Sequence, residues 1–331
     1  MTYNAEPDFV MRYCIQETKL SPLVRRMNFR TEHGDGVMFL LEAWPGVQMW
    51  VIDFHVARLP IQPMGTYHYL KMNYCFSGRC EVPLPAGYIY IDQGTLSVDI
   101  NPPIGSMLCP GGSYEGLELV ADLKTADGRQ GLTDYGIDLA AAKKRLASCQ
   151  GSFLAKVSPA WDQLARQLMA HIVAADLSLE GYRFRILELL WHLNTGQETN
   201  GALSPVFLTR GQRAAVMRAE AVMTEDLRRQ YSLVELAAEA GVSPASLKKY
   251  FGQVYGKPVS VYLRWRRIER AKELLTTTAL RIVDIASEVG YENQGKFGAA
   301  FRRETGVTPL EYRRLYHSKF ERQGEKNEET I

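Results

Sequence analysis

Between Asp8 and Asp122 the hydrophobic positions come in short bursts. Apolar or aromatic runs such as Gly36-Val-Met-Phe-Leu-Leu, Met49-Trp-Val-Ile and Tyr67-His-Tyr-Leu-Lys-Met-Asn-Tyr are separated by Pro-Gly, Ser-Gly, Ala-Gly and Gln-Gly turns. That spacing predicts short strands in a barrel or sandwich. Around Gly131 the period becomes helical: Trp161, Leu164, Leu168, Ile172 and Ala175 form one apolar stripe, and Phe184, Leu187 and Trp191 a second. The polar, Gly-bearing stretch from Thr195 to Ser204 reads as a linker. Helix formers dominate from Thr209, and the residues after Arg322 have little to bury, so they are expected to be disordered. The pattern predicts an α+β chain of two domains: residues 1–195, a linker over 196–208, an all-α domain over 209–320, and a tail over 321–331.

The helical third repeats itself. At an offset of 49 or 50 residues, Leu236-Ala-Ala-Glu-Ala-Gly241-Val-Ser with Leu247, Phe251, Gly256 and Tyr262 aligns with Ile285-Ala-Ser-Glu-Val-Gly290-Tyr-Glu with Phe297, Phe301, Gly306 and Tyr312. Each copy has the logic of a helix-turn-helix, about 233–254 and 282–305. A short helix presents Val234, Ala237 and Ala238, or Val283, Ala286 and Ser287, and a glycine then turns the chain. Ser243 is placed to cap the following helix and Pro244 suits its first turn. Inward positions are Leu247, Phe251 and Val254 in the first copy, Phe297 and Phe301 in the second. The connecting helix, Tyr262 to Leu275, would span roughly 21 Å at about 1.5 Å per residue. Recognition helices about 34 Å apart can enter successive major grooves of B-DNA.

Length and charge sharpen this picture. A chain of 331 residues suits two domains of roughly 100–200 residues. Its formal net charge of +2 hides an asymmetry: residues 206–320 carry 20 Lys and Arg against 12 Asp and Glu, a net of +8, whereas residues 1–205 carry 17 against 21. A basic domain behind an acidic one is the footprint expected of a polyanion partner, or else a solvated basic face. No apolar run approaches the roughly 18 residues of a membrane span, and Met1 to Tyr13 lacks a basic leader. Five cysteines without a CxxC spacing point to neither a disulfide framework nor a zinc ribbon. A reducing cytoplasm is the expected location.

On these residues the stretch of about 214–315 resembles the DNA-binding domain of the AraC/XylS family of bacterial transcription regulators. Its late signature is matched by Asp284-Ile-Ala-Ser-Glu-Val-Gly-Tyr through Phe297, Phe301-Arg-Arg, Gly306-Val-Thr-Pro309 and Tyr312-Arg313. The resemblance implies a sequence-specific regulator that reads adjacent major grooves with two helices. Base-reading positions would fall on Ala245, Lys248 and Lys249, then on Gln294, Gly295, Lys296, Gly298 and Ala299. The second set departs from the family, because Gly295, Gly298 and Ala299 carry no polar side chain. Phosphate contacts are expected from Ser243, Ser246, Arg264, Arg302 and Arg303. The front domain resembles the cupin-type sensor and dimerisation domains of the siderophore-regulator-like branch, most of all at Asn73-Tyr-Cys-Phe-Ser-Gly-Arg-Cys-Glu81. Implied partners are promoter DNA, a small-molecule effector, a second copy of the chain and, for an activator, RNA polymerase. Neither a cofactor nor a membrane is implied.

Other constellations leave alternatives open. Trp50, His55, Tyr67, Tyr69 and Tyr74 could line an effector pocket, or such aromatics could simply build the core. Asp53 and His55, with His68 and Glu81 on nearby strands, read as a metal site or as hydrogen-bonded strand residues; His33, His171, His192 and His317 show no ligand spacing. The helical stripes could form a dimerisation hairpin or pack on their own barrel. Cys75 and Cys80 would face each other across a hairpin turned at Ser77-Gly78, either as a strained disulfide helped by Arg79 or as two small buried hydrophobes. No GxSxG, Walker, HExxH or GxGxxG motif is present. The rival class is an enzyme, either a metal-dependent cupin or an alkyl-accepting repair protein fused to a DNA-binding module.

Overall fold

A computed structural model of the protein describes residues 13–32, 34–60, 69–84, 87–100, 106–123, 132, 135–148, 152–194, 199–202 and 207–316. The chain divides into two compact units, Met1–Arg210 and Gly211–Ile331.

The first unit is built on strands β1 (Cys14–Lys19), β2 (Val24–Thr31), β3 (Gly34–Trp44), β4 (Val47–Val56), β5 (Arg58–Pro60), β6 (Tyr69–Leu84), β7 (Gly87–Asp92), β8 (Thr95–Asp99), β9 (Ser106–Leu108), β10 (Tyr114–Asp122), β11 (Ser152–Val157), β12 (Thr199–Ala202) and β13 (Leu208–Thr209). Its main sheet runs β1-β2-β3-β4-β10-β6-β8-β11-β12, and β5 pairs separately with β9. The expected barrel closure is not seen among the described residues: β1 and β12 end an open path. Part of the expected linker is strand, since Thr199–Ala202 pairs with β11 and Leu208–Thr209 with β7. The expected tail lies outside the described residues.

The pleat sorts side chains onto two buried faces. Leu117 stands opposite Val51 and Tyr74, whereas Glu118 stands opposite Trp50 and Asn73. The Leu117 face packs on two helices that follow α1 (Leu139–Ser148), namely α2 (Pro159–Ala174) and α3 (Leu179–Asn194). The other face gathers Met27, Phe29, Met38, Leu40, Trp50 and Ile52 with Cys75 and Ile91. Burial on both faces is why β3 and β4 read as nearly continuous apolar runs.

Ser158 caps α2 by accepting from the Trp161 amide, and the helix buries Trp161, Ala165, Leu168 and Ile172. On α3 the buried residues are Tyr182, Ile186 and Leu189, while Phe184 and Trp191 are 67% and 53% exposed. Of the second predicted stripe, Phe184 and Trp191 thus face outward, whereas Leu187 packs half-buried against the core. Both sides of this helix are apolar, and periodicity alone cannot say which side meets the sheet.

The hairpin at Ser77-Gly78 is also corrected. Strand β6 runs unbroken through it, with Gly78 at φ +82°; a Cβ there would fall 2.3 Å from the Ser113 carbonyl oxygen. The register of β6 against β10 shifts between Cys75 and Ser77, a bulge at Phe76; before it β6 pairs with β8, and after it with β7. Cys75 and Cys80 therefore lie along one strand, both buried. Burial pushes the Cys75 thiol up to about 12, the Asp92 carboxylate adds to this, and Arg79 opposes it only weakly. Arg79 itself is engaged with Asp92 at 3.1 Å. Neither thiol should react with iodoacetamide near pH 8 until the protein is unfolded in urea, and mild peroxide should give no 75–80 crosslink by mass spectrometry. Labelling of native Cys75 would contradict this burial.

The second unit comprises α4 (Arg210–Glu225), α5 (Leu233–Ala240), α6 (Pro244–Tyr255), α7 (Val259–Thr277), α8 (Ile282–Glu288) and α9 (Gln294–Thr305), with helix again over 309–316. Helices α5–α6 and α8–α9 are the two repeats. Helix α7 connects them and is longer than the sequence suggests, 19 residues or about 28 Å.

Candidate nucleic-acid interface

In the first repeat, Ser232 caps α5 and Gly241 ends it at φ +70°. From α4, Arg218 donates to the Ala240 carbonyl at 2.6 Å, fixing the turn from a third helix. The packed side of α5 is Leu236, Ala237 and Ala240; Val234 and Ala238, expected at that contact, are exposed. In the second repeat the same holds for Val283 and Ser287, and Ile285, Ala286 and Val289 are buried instead. Ala237 and Ala286 thus sit at the contact as expected, while Leu236, Ala240, Ile285 and Val289 complete it in place of Val234, Ala238, Val283 and Ser287.

Helix α6 buries Leu247, Phe251 and Val254, which turns Ala245, Lys248 and Lys249 to solvent. Ser243 accepts from the Ser246 amide at 3.1 Å and donates to the Ser246 hydroxyl at 2.9 Å, so both hydroxyls expected at phosphate are engaged in the cap. Helix α9 is capped by Asn293, which accepts from the Lys296 amide at 2.8 Å. Phe297, Ala300 and Phe301 are buried, and Gln294, Gly295, Lys296, Ala299, Arg302 and Arg303 are exposed. Lys296 pairs with Glu292 at 2.9 Å, but both are well exposed, so a phosphate could replace the carboxylate at little cost. Lys248, Lys249, Arg264 and Arg302 make no ion pair among the described residues.

A cleft of about 610 Å³ opens in this unit. Lys248 of α6, Arg264 of α7 and Arg303 of α9 line it with Tyr231 and Tyr291, and no carboxylate does. A cleft bearing cations from all three elements favours an extended polyanion.

One buried cation escaped the sequence reading. Arg267 is only 8% exposed; its Nε donates to the Leu227 carbonyl at 2.8 Å and its Nη2 to the Arg229 carbonyl at 3.0 Å. Nothing in the charge pattern sets it apart from Arg264, Arg266 or Arg270. Its spacing does, because it stands four residues after Leu263 and four before Ala271, on the buried stripe of α7.

In the first unit the proposed effector residues do not converge. Trp50 and Tyr74 are on opposite faces of the sheet. His55 is exposed near the end of β4, 3.7 Å from Asp53, Tyr69 opens β6 half-buried, and Tyr67 lies outside the described residues. Tyr74 instead belongs to the helix-covered core, donating to Asp162 at 2.5 Å. No group of His, Cys, Asp and Glu able to hold a metal occurs among the described residues, and His33, His68 and His317 lie outside them. The face of Trp50 carries a polar cluster that the sequence did not suggest. Lys71 meets Glu118 at 2.8 Å, Tyr114 donates to Asn73 at 2.7 Å, and the Ser97 hydroxyl is buried without a partner. Burial raises the Asp99 carboxyl to about 7, against the opposing pull of Lys71.

Comparison with known proteins agrees with the second unit. Residues 236–315 match a family model described as a helix-turn-helix domain. The virulence regulon transcriptional activator VirF of Yersinia enterocolitica is 30% identical over 179 residues, which are 54% of this chain and 65% of VirF. The HTH-type transcriptional activator RhaR of Escherichia coli K12 is 32% identical over 132 residues, 40% of this chain and 45% of RhaR. A solved regulator of Chromobacterium violaceum with an AraC-type DNA-binding domain is 29% identical, covering 31% of this chain and 92% of its own, with a TM-score of 0.30. The chain thus spans between 45% and 65% of the length of these curated relatives. Two capped helices and the match of residues 236–315 make the C-terminal unit similar to a helix-turn-helix domain, as found in relatives such as the transcriptional activators VirF and RhaR.

Proposed function

We propose that the protein is a transcription regulator, without a catalytic role, that reads promoter DNA through two recognition helices set in adjacent major grooves. The observation that carries this reading is the pairing of two helices, each capped and buried along one side, whose opposite sides present Lys248 and Lys249 or Arg302 and Arg303 to solvent. Selection of the full chain against a random duplex library tests it: recovery of a two-part motif is expected, and recovery of unselected sequence contradicts it.

The two readers should be unequal. Lys248 and Lys249 can donate to guanine O6 and N7, whereas Gly298 and Ala299 offer at most contact with a thymine methyl. Lys248→Ala is expected to change the preferred sequence in one half of the motif, by about 1–3 kcal/mol per base pair read. Arg302→Ala should weaken all sequences alike. An unchanged motif for Lys248→Ala in the same selection would remove Lys248 from the reading face.

The N-terminal unit is read as the regulatory half, acting in the cytoplasm. A polar small-molecule effector would meet the Trp50 face, where Asn73 and Asp99 are buried and the Lys71–Glu118 pair is half-buried. Phe184 and Trp191, exposed two turns apart on α3, favour contact with a second copy of the chain, since exposed apolar surface marks interaction sites. The names of VirF and RhaR as activators favour a role in which RNA polymerase is recruited. A thermal-shift screen of small metabolites on the full chain tests the effector, because a ligand of the folded state raises its stability.

A further inference from the structure

We infer that Arg267 is the residue that sets the distance between the two readers, and hence the spacing of half-sites that the protein accepts. The inference rests on the DNA-binding reading above and adds a positioning residue to it. A helix alone is a weak spacer: α7 fixes the two repeats along its axis, but each could still rock about its own end of it. What prevents rocking is a seam of three parts.

The loop 226–231 belongs to the first repeat's side, between α4 and α5. It is pulled into shape by Asp226, which accepts from the Arg228 amide at 3.0 Å, and by Tyr231, whose hydroxyl donates to the Asp226 carbonyl at 3.0 Å. The turn at Gly290-Tyr291 belongs to the second repeat. Loop and turn meet so closely that a Cβ on Gly290 would fall 2.3 Å from the Leu227 carbonyl oxygen and 2.9 Å from the Arg228 Cα. Gly290 is also at φ +81°, so only glycine admits this contact without strain. Arg267 reaches into the seam from α7. Its guanidinium holds two loop carbonyls at once and lies 6.0 Å from the centre of the Tyr291 ring.

Loop, turn and connecting helix thus share one buried charge. Charged hydrogen bonds from a planar guanidinium are both stronger and more directional than those of a neutral donor or a lysine. Arg267 lines the same cleft whose walls carry Lys248 and Arg303; closing the seam beneath the cleft fixes the separation of those walls. On DNA the consequence is a strict register. Adding one base pair between half-sites shifts the second by about 3.4 Å and turns it by about 34°, given 10–10.5 base pairs per 34–36 Å turn. A rigid pair of readers cannot follow that change; a loose pair can.

The test uses the full chain and the duplex that wild type selects, with zero, one or two base pairs inserted between its halves. Wild type should discriminate against one inserted pair by about tenfold or more, within the range of a single mismatch. Arg267→Met should flatten this ratio to about threefold or less, and Arg267→Lys, able to hold one carbonyl but not both, should fall between. Gly290→Ala opens the same seam from its other side with Arg267 in place and should flatten the ratio as well. The ratio compares two duplexes against one preparation, so it is insensitive to the fraction of protein that is folded. Wild-type spacing discrimination in both Arg267→Met and Gly290→Ala overturns the inference and leaves the DNA-binding reading standing. Failure of wild type to select any duplex overturns that reading, and the inference with it.

Discussion

Raising the salt from about 50 to 200 mM should weaken binding of the protein to its selected duplex roughly a thousandfold. The expectation follows from counting the cations that the fold leaves available. Lys248, Lys249, Arg264 and Arg302 make no ion pair among the described residues, Lys296 holds only an exposed glutamate, and Arg303 stands 3.6 Å from Glu304. If these about six groups each neutralise a phosphate, the slope of log K against log salt is near −5. Titrations by fluorescence anisotropy at four or five salt concentrations measure it. A slope near zero would mean that the +8 charge of residues 206–320 serves something other than nucleic acid.

The second large effect belongs to the other unit. Trp161→Ala should destabilise the N-terminal unit by about 3–5 kcal/mol, the range for deleting a buried large aromatic. The ring is fully buried, packs edge-on against Tyr74 at 4.9 Å, and its Nε1 donates to the Leu189 carbonyl at 3.2 Å. It therefore touches β6, α2 and α3 together, and no neighbour can fill its place without moving one of them. Trp161→Phe keeps the edge-on contact and should cost clearly less. Urea unfolding followed by tryptophan fluorescence and by DNA binding separates the two units: the alanine variant should lose the early transition while retaining affinity for duplex at low denaturant. A change below about 1 kcal/mol would show that the site collapses around the missing ring.

The C-terminal unit was legible because its signals are local. The cap at Ser243, glycines at 241, 290 and 306, and inward aromatics at 251, 297 and 301 all act within one or two helical turns, whereas the caps at Ser232 and Asn293 emerged only in the structure. The N-terminal unit was legible only as strands. A glycine with positive φ serves a tight hairpin and a bulge equally well, so Ser77-Gly78 could not disclose that β6 continues. Phe184 and Trp191 on one side of α3 compete with Ile186 and Leu189 on the other, and only the sheet decides between them. Arg267 was hidden by type: arginine on a basic helix reads as surface charge, although its four-residue spacing from Leu263 and Ala271 is that of the core.

Helix α7 also decides how the C-terminal unit comes apart. Near its start, Tyr262 completes an aromatic cluster with Phe251 and Tyr255, at 5.3 and 4.1 Å; further along, Ile268, Ala271, Leu274 and Leu275 complete the core of Phe297 and Phe301. Neither repeat owns a whole hydrophobic interior. A chain ending after Thr278 would leave those four apolar side chains in water, and a chain beginning after Tyr262 would deprive Phe251 of its cover. The two repeats should therefore unfold in one cooperative step rather than two.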